Sequence, residues 1–354
     1  MNRIKDIAAQ LPAHGIEAML VTGEVNRRWA TGFKSSAGTL LVAKSASYFI
    51  TDSRYIEAAR AEISGAEVIQ IESNRSYTSL LGELLAQHSV RRLGFEENVF
   101  TYHGYEIYRT KLAPITLIPS AKIPMVLRQS KSDAEVALLS RAQEITDQTF
   151  AEVLPLINPN MTERELAAEI VYRLLKNGAE GISFDPIVAS GTRSSMPHAT
   201  PTDNTLSGFV TMDFGAKHKG YCADMTRTIA LGTVTDEMKT VYKTVQQAQT
   251  AGIAAARAGV SGKEIDTAAR DVICAAGFGD YFGHGFGHGQ GMEVHEEPGA
   301  SQAEKRILPA GAVISAEPGI YLPGKFGVRI EDTLYLKEDG ARNLTKSPKH
   351  LLML

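Results

Sequence analysis

The stretch FVTMDFGAKHKGYCADMTRTIA, residues 209–230, decides how the second half of this 354-residue chain folds. Its pattern of apolar and polar residues predicts a β-hairpin that turns near His218-Lys219. If the strands pair symmetrically about that turn, Asp213 and Asp224 lie directly opposite each other, with their Cβ atoms about 4.5–5.5 Å apart. Burial strengthens the repulsion between two such carboxylates. Either the hairpin is solvated and the aspartates are unrelated, or a cation neutralises them, and the apolar neighbours favour the cation.

A second pair of carboxylates lies further along the chain. SAEPGIY, residues 315–321, places Glu317 at the end of an apolar strand, and GVRIEDTLYL, residues 327–336, places Glu331 inside the next one. Arg329 precedes Glu331 by two residues, so both side chains face the same side of a strand. One interpretation is a buried ion pair between Arg329 and Glu331, with Glu317 separate at the surface. The other is a single site formed by all four carboxylates.

The segment GHGFGHGQGMEVHEEPG, residues 283–299, contains three histidines, three glutamates and six glycines. Glycine is favoured where the backbone bends sharply or closely approaches another group. The segment is therefore either a flexible surface loop with incidental histidines or a loop that passes close to a metal or substrate. Four carboxylates and one imidazole can hold two divalent cations about 3.5–4 Å apart, an arrangement used for hydrolysis. Such ligands suit Mn²⁺, Co²⁺, Fe²⁺ or Zn²⁺.

The order and spacing of these motifs resemble the metal-dependent pita-bread peptidases of family M24. The resemblance is carried by FxxMDFGAxxxGYxADxTRT, SMPHA, HGFGHGQGMEVHE, SAEPGIY and VRIED, and it is greatest to the Xaa-Pro aminopeptidases and Xaa-Pro dipeptidases (prolidases). ITDSRY, residues 50–55, resembles the creatinase-type N-terminal domain of the same group. The resemblance thus extends over nearly the whole chain, and it implies an α/β, creatinase-like N-terminal domain followed by an α+β pita-bread catalytic domain.

The boundary between these domains is predicted from the stretch SAKIPMVLRQSKSD, which contains a proline, is charged and has the composition of a connection. We therefore expect the creatinase-like domain at residues 1–122 and the catalytic domain at residues 123–354. Within the second domain, a capping box of Thr162 with Glu165 predicts the start of one helix. A second box, Ser261 with Glu264, predicts the start of another.

The resemblance implies a set of five metal ligands. Asp213 would bind one ion, His288 and Glu317 would bind the other, and Asp224 and Glu331 would bridge the two. It therefore implies two divalent ions per subunit, with Mn²⁺ favoured and Co²⁺, Fe²⁺ or Zn²⁺ as alternatives.

The resemblance also implies roles on the substrate side of the site. Glu317 would accept and return the proton that is transferred during hydrolysis. His198 and His295 would be catalytic with it, contacting the peptide and stabilising the oxyanion. His284 and Arg329 would bind substrate, although His284 could instead serve only to orient its loop.

The amino-acid composition limits the binding partners and the cellular location that we expect. A hydrophobic content of 44%, a charged content of 22% and a formal net charge of −3 are typical of a soluble globular protein, and they give no electrostatic argument for nucleic acid or membrane binding. Two cysteines exclude a disulfide framework, and no apolar run is long enough to span a membrane. We therefore expect a cytoplasmic protein, which the resemblance further implies to be a homodimer.

Together these features predict a dinuclear metal-dependent exopeptidase that hydrolyses the bond between an N-terminal residue and proline, acting on short peptides with proline in the second position. Two alternatives are a creatinase-like hydrolase without metal and a non-catalytic protein that binds peptides or proteins on the same fold. The complete ligand set argues against both. The chain departs from the family pattern at Phe286, where we expect an effect on the shape of the pocket, and at Ser315.

Overall fold

The computed structural model describes residues 3–354, and the chain divides into two compact units, Met1–Leu127 and Arg128–Leu354. One hydrophobic cluster lies within the first unit, and further clusters lie within the second. Each unit therefore has the separate core that is expected of a domain.

The first unit is built on a six-stranded mixed sheet with the strand order β4-β3-β2-β1-β5-β6. Every residue of β1 and β2 is buried, as expected for central strands that are covered on both faces. The predicted α/β class of this domain is confirmed. Its strands are β1 (Ala18–Val21), β2 (Thr39–Ala43), β3 (Ser47–Thr51), β4 (Glu67–Gln70), β5 (Arg92–Phe95) and β6 (Thr116–Pro119); its helices are α1 (Ile4–Gln10), α2 (Glu24–Thr31), α3 (Ile56–Glu62), α4 (Tyr77–Gln87) and α5 (Tyr102–Lys111). The stretch expected to connect the domains contains helix α6 (Lys122–Gln129).

The second unit combines long helices with several small antiparallel sheets, and its predicted α+β class is confirmed. The strand orders are β11-β10-β7, β12-β9-β8, β14-β13-β15-β18-β19 and β16-β17. The helices are α7 (Asp133–Val153), α8 (Glu163–Lys176), α9 (Asp236–Ala255) and α10 (Gly262–Ala275). The strands are β7 (Gly181–Ile182), β8 (Ile187–Ser190), β9 (Gly208–Phe214), β10 (Ala216–His218), β11 (Tyr221–Cys222), β12 (Met225–Leu231), β13 (Gly287–Gly289), β14 (Glu296–Ala300), β15 (Val313–Ala316), β16 (Gly319–Leu322), β17 (Phe326–Arg329), β18 (Asp332–Lys337) and β19 (Gly340–Asn343).

Both predicted capping boxes are confirmed. The Thr162 hydroxyl accepts a hydrogen bond from the backbone of Glu165 at 3.1 Å, and the Glu165 carboxylate accepts one from the backbone of Thr162 at 2.8 Å. Ser261 and Glu264 make the same reciprocal pair at the start of α10. These bonds satisfy backbone donors that have no partner within the helix, so they fix where each helix begins.

The predicted register of the hairpin at residues 209–230 is wrong. The turn is formed by Lys219 and Gly220, with φ angles of 45° and 90°, which lies one residue further along the chain than predicted. Two successive positive φ angles are the geometry that suits a two-residue hairpin turn. As a result Asp213 faces Thr226, and Asp224 precedes Thr226 by two residues. The two aspartates are therefore diagonal neighbours rather than a directly opposed pair.

Three of the carboxylates lie at breaks between strands; for Glu317 this agrees with the predicted strand end, whereas Glu331 was expected inside a strand. Asp224 lies between β11 and β12, Glu317 between β15 and β16, and Glu331 between β17 and β18. At two of these breaks the backbone bonds to a different part of the chain: the Glu317 N–H donates to the Phe286 carbonyl at 2.8 Å, and the Glu331 N–H donates to the Thr226 carbonyl at 3.0 Å. Glu317 and Glu331 thus lie where the backbone leaves one strand pairing and forms a hydrogen bond with a different segment of the chain.

Phe286 belongs to the hydrophobic core and is fully buried there. It does not line the cavity described below, so its expected influence on the shape of the pocket is not a direct contact. Its ring instead packs against helix α9 at Gly252. A Cβ atom added to Gly252 would lie 2.2 Å from the ring carbon Cε2, far inside van der Waals contact.

We therefore expect Gly252→Ala to lower the free energy of unfolding of the second unit. Overpacking a rigid core position costs about 1–3 kcal/mol, which outweighs the roughly 1 kcal/mol of helix propensity that alanine contributes. The measurement is urea unfolding followed by circular dichroism, with Trp29 fluorescence reporting the first unit separately.

Gly82 in α4 provides the matched control, because an added Cβ would meet only a Leu112 methyl at 3.9 Å. Gly82→Ala should stabilise the first unit. Phe286→Leu should restore part of the stability lost in Gly252→Ala. Equal effects of the two alanine substitutions would contradict the proposed contact with Phe286.

Candidate active site

A cavity of about 590 Å³ lies in the second unit. It has the size of a pocket for a small organic ligand. All nine residues to which the sequence analysis assigned a role in the site lie in its lining: His198, Asp213, Asp224, His284, His288, His295, Glu317, Arg329 and Glu331. The fold thus brings together residues that are more than one hundred positions apart in sequence.

His288 lies on β13 with its ring directed at two of the carboxylates. Its Nε2 atom is 3.3 Å from Glu317 Oε1 and 3.5 Å from Asp224 Oδ2. Its Nδ1 atom is 3.1 Å from the Gly289 carbonyl. Because a carbonyl can only accept, Nδ1 carries the proton and the Nε2 lone pair faces the carboxylates. This is the tautomer in which histidine commonly binds a metal ion.

Three of the carboxylates have a buried oxygen that receives no hydrogen bond from any described residue. These atoms are Asp213 Oδ1, Asp224 Oδ1 and Glu331 Oε1. Burial, with Asp213 and Glu317 as the next causes, raises the pKa of Asp224 well above its usual value. Burial and the neighbouring Asp224 raise the pKa of Glu331 in the same direction. Unpaired buried anions are costly, and a bound cation would remove that cost.

The donor set fits a divalent cation. One ligand atom each from Asp224, His288 and Glu331 lies within 4.8 Å of the others, close enough to share one ion. Asp213 and Glu317 lie in the same cavity and complete the four carboxylates of the predicted ligand set; Asp185, a fifth carboxylate in the lining, was not assigned to that set. Oxygen donors with a single imidazole suit borderline divalent metals.

Arg329 forms its ion pair with Asp213, with 2.6 Å between Nη2 and Oδ2. The alternative prediction of an ion pair with Glu331 is therefore wrong. The guanidinium also donates to the Thr226 hydroxyl at 2.9 Å and to the Tyr321 hydroxyl at 3.0 Å. Burial opposes the charge of Arg329, but Tyr321 and Asp213 outweigh it and raise the pKa. Arg329 thus offsets part of the negative charge of the site.

Comparison with known proteins is consistent with this arrangement. Residues 137–338 match metallopeptidase family M24, and residues 3–130 match the creatinase/prolidase N-terminal domain. The chain belongs to metallopeptidase family M24.

Its relatives include an uncharacterized peptidase of Bacillus subtilis, 42% identical over 100% of this chain and 99% of the relative, and a Xaa-Pro dipeptidase of Pyrococcus horikoshii, 34% identical over 99% of each. Among solved structures, a Xaa-Pro dipeptidase from Bacillus anthracis has a TM-score of 0.96 and 38% identity over 99% of both chains. An X-Pro aminopeptidase from Thermotoga maritima has a TM-score of 0.92 and 34% identity over 97% of this chain and 99% of that one. These similarities confirm the predicted creatinase-like and pita-bread domains and the assignment as a metallopeptidase. Within residues 3–354, the metallopeptidase has no helix that is both long and apolar enough to cross a membrane.

Two hydroxyl groups that the sequence analysis did not assign hold proposed ligands of the M24 site. The Ser315 hydroxyl accepts a hydrogen bond from the His288 backbone at 2.9 Å and donates to Glu317 at 3.0 Å. The Thr226 hydroxyl donates to Glu331 at 2.7 Å. Ser315 was indicated by its departure from the family pattern, whereas the contact of Thr226 became recognisable only once the hairpin register was known.

His284 is engaged by the protein through both ring nitrogens. Nδ1 is 2.9 Å from the Gly285 carbonyl, so it carries the proton, and Nε2 then accepts from the Tyr321 hydroxyl at 2.9 Å. Burial lowers the pKa of His284. These contacts favour the interpretation that His284 orients its loop.

The loop that carries His284 is held by two residues of helix α10. Asp266 is fully buried and accepts a hydrogen bond from the Phe286 backbone at 2.8 Å. Arg270 binds Asp266 through Nε at 2.8 Å and donates to the carbonyls of Phe282 and His284 at 2.9 and 2.6 Å. This ion pair therefore fixes two points of the glycine-rich segment, His284 and Phe286, and the residue that precedes the segment, Phe282.

His295 lies beside His288, with 4.1 Å between the ring centroids. Loss of part of its hydration, and then the neighbouring His288, lower the pKa of His295. The next residue, Glu296, forms ion pairs with Lys131 at 2.7 Å and with Arg128. The backbone next to His295 is therefore anchored by a buried cluster of charges.

We expect Asp266→Asn to destabilise the second unit by about 1–3 kcal/mol, because every partner of the carboxylate is a donor and an amide nitrogen would leave a buried donor unsatisfied. Asp271→Asn is the matched control, since Asp271 is an exposed residue of the same helix. The measurement is the free energy of unfolding in urea. Equal values for the two variants would show that Asp266 does not hold the loop.

Proposed function

We propose that this metallopeptidase is a dinuclear exopeptidase that hydrolyses the peptide bond between an N-terminal residue and proline. The observation that carries the proposal is the convergence of four carboxylates and one metal-competent imidazole in one cavity. The relatives named Xaa-Pro dipeptidase and X-Pro aminopeptidase support the choice of substrate. Both names describe enzymes that act beside proline.

Five residues would hold the cations: Asp213, Asp224, His288, Glu317 and Glu331. When bound, two divalent ions supply an activated water molecule and polarise the carbonyl of the scissile bond. Mn²⁺ is the metal that we favour. The three carboxylate oxygens without a hydrogen bond and the Nε2 lone pair of His288 support this ligand set, because each can donate an electron pair to a cation.

Glu317 is the carboxylate best placed to carry a proton. Its side chain is 17% exposed, against 6% for Asp224 and 11% for Asp213. A general base must be accessible to the proton that it accepts, and the most exposed carboxylate of the set meets this condition best. Glu317 would take a proton from the attacking water and return it to the proline nitrogen that leaves.

His198 and His295 would act on the peptide. Both side chains line the cavity and both residues are exposed, so a bound peptide can contact them. A hydrogen bond from either imidazole to the carbonyl oxygen would strengthen as negative charge develops there. His284 differs from them, since its two nitrogens already bond to the protein.

The cavity also offers an apolar surface for the proline ring. Its lining includes Phe184, Ile187 and Val294 together with the prolines of the loop that carries His198. A pyrrolidine ring has no backbone N–H to satisfy, so it can bind against apolar side chains. This surface supports selection for proline next to the scissile bond.

Hydrolysis of Ala-Pro and Ala-Pro-Ala by protein reconstituted with Mn²⁺ tests the function. We expect release of alanine from at least one of them, no hydrolysis of the Ala-Ala and Ala-Ala-Ala controls, and loss of activity on chelation, because the carboxylates cannot activate water without the cations. Elemental analysis should give two ions per chain. The ratio of the rates on the two proline peptides separates a dipeptidase from an aminopeptidase.

Unchanged turnover after complete chelation would contradict metal dependence and favour a creatinase-like hydrolase. Absence of hydrolysis in protein that holds both ions would favour a binding protein. One ion per chain in fully active protein would contradict the dinuclear assignment alone.

The roles proposed for His288 and His295 differ in a measurable way. His288→Ala should lose metal as well as activity, since it removes a ligand. His295→Ala should keep both ions, and its kcat should fall about 10²–10³-fold, as expected for the loss of one hydrogen bond to developing charge. The measurement is metal content by elemental analysis beside kcat. A His295→Ala variant that loses metal while His288→Ala retains it would reverse the two assignments.

A further inference from the structure

Glu163, in the first turn of α8, is a fully buried carboxylate that lies outside the proposed metal set. Its Oε1 accepts a hydrogen bond from the Ser190 backbone at 2.8 Å. Its Oε2 accepts from the Thr202 backbone at 3.0 Å and from the Thr202 hydroxyl at 2.7 Å. One side chain therefore binds both ends of the segment 191–201, which contains His198.

Arg193 adds a contact within this segment, which we call the His198 loop. Its Nε donates to Glu163 at 3.1 Å, and its Nη2 donates to the Thr200 carbonyl at 2.6 Å. Arg193 therefore links the beginning of the loop to its end through the same carboxylate. On the other side, Arg329 donates to the Pro197 carbonyl at 3.2 Å. The residue before His198 is thus tied to the guanidinium that binds Asp213.

The His198 loop forms one wall of the cavity. Residues 197–201 all line it, and three of them are Pro197, His198 and Pro201. The His198 side chain is exposed, so burial against the protein does not by itself fix its position. Its placement toward a bound peptide depends on the backbone of the loop, and that backbone depends on Glu163 at both ends.

We propose that Glu163 is a positioning residue of the active site: it holds the His198 loop in the conformation that presents His198 to the peptide. The inference rests on the proposed function, which gives His198 a substrate. Misplacement of a group that contacts the substrate by about 1 Å can reduce the rate about 100-fold. A carboxylate remote from the reacting atoms can therefore control the rate through the loop.

The chemistry of the contacts requires a carboxylate. Every partner of Glu163 is a donor: two backbone N–H groups, one hydroxyl and one guanidinium. Glutamine has the same shape, but its amide nitrogen would face donors on one side. Glu163→Gln therefore breaks the contact at one end of the loop without leaving a cavity.

Glu165 supplies the matched control, since it lies in the same turn of α8 and contributes the same charge near the helix start. It is exposed, and its carboxylate bonds to Thr162 rather than to the His198 loop. Glu165→Gln removes the same charge from the same helix terminus. Any difference in exchange or activity between the two variants then reflects the contact of Glu163 with the His198 loop.

The experiment compares full-length wild type, Glu163→Gln and Glu165→Gln, each loaded with Mn²⁺. Hydrogen–deuterium exchange of the peptide that spans residues 190–202 should become faster only in Glu163→Gln. In that variant kcat/KM for Ala-Pro-Ala should fall about 10–100-fold, with metal content unchanged. Glu165→Gln should retain wild-type kcat/KM.

A double-mutant cycle with His198→Ala distinguishes positioning from general destabilisation. If Glu163 acts through His198, Glu163→Gln should change kcat/KM no more than about twofold in the His198→Ala background. An undiminished effect in that background would overturn the proposal, as would unchanged exchange at residues 190–202. If Glu163→Gln does not fold, Thr202→Val removes one contact to the same carboxylate and takes its place in both measurements.

The exchange measurement does not use a substrate, so it keeps the two proposals apart. Wild-type protein that fails to hydrolyse Xaa-Pro peptides would refute the proposed function, while exchange would still decide whether Glu163 holds the loop. Active wild type with no coupling between Glu163 and His198 would refute this inference alone.

Discussion

The constraint on which the second unit depends is the clustering of the four carboxylates of the proposed ligand set in one cavity, whose described lining includes one guanidinium, that of Arg329. Like charges at such distances raise one another's pKa and oppose folding unless cations are present. The surrounding structure limits this cost in specific ways. Arg329 pairs with Asp213, and the Ser315 and Thr226 hydroxyls donate to Glu317 and Glu331. One oxygen each of Asp213, Asp224 and Glu331 accepts no hydrogen bond from a described residue.

A second group of carboxylates differs from the first in that its hydrogen-bonding capacity is filled by the protein. Glu163, Asp266 and Glu296 are each bound by a basic side chain, and each adjoins a loop or strand that carries one of the cavity histidines other than His288. Their lone pairs are used for fixing backbone, not for binding ligands. The presence or absence of protein partners therefore separates the two groups of acids more clearly than burial does, since each group contains both buried and partly buried members.

The sequence, with the family resemblance, predicted the class of both domains, the starts of α8 and α10 and nine of the residues that line the cavity. These predictions succeeded because caps and ligand motifs are local patterns. The pairing of Asp213 with Thr226 could not be derived, because it depends on positive φ angles at Lys219 and Gly220. Lysine seldom adopts a positive φ, so its presence does not predict the position of this turn. The break at Glu331 was not predicted either, because it coincides with a long-range backbone hydrogen bond to Thr226.

The carboxylates that hold loops in place are different residues from those proposed to bind metal, and this has an evolutionary consequence. Substitutions at Glu163, Arg193 or Thr202 would move one wall of the cavity without removing a proposed metal ligand, so they could change which peptides are hydrolysed, and how fast, while the metal-binding residues stay in place. Function in a shared fold resides in such local sites rather than in the architecture. In this chain, a change of substrate range could therefore arise in the helix and loop that flank His198 without any change of the residues proposed to bind metal.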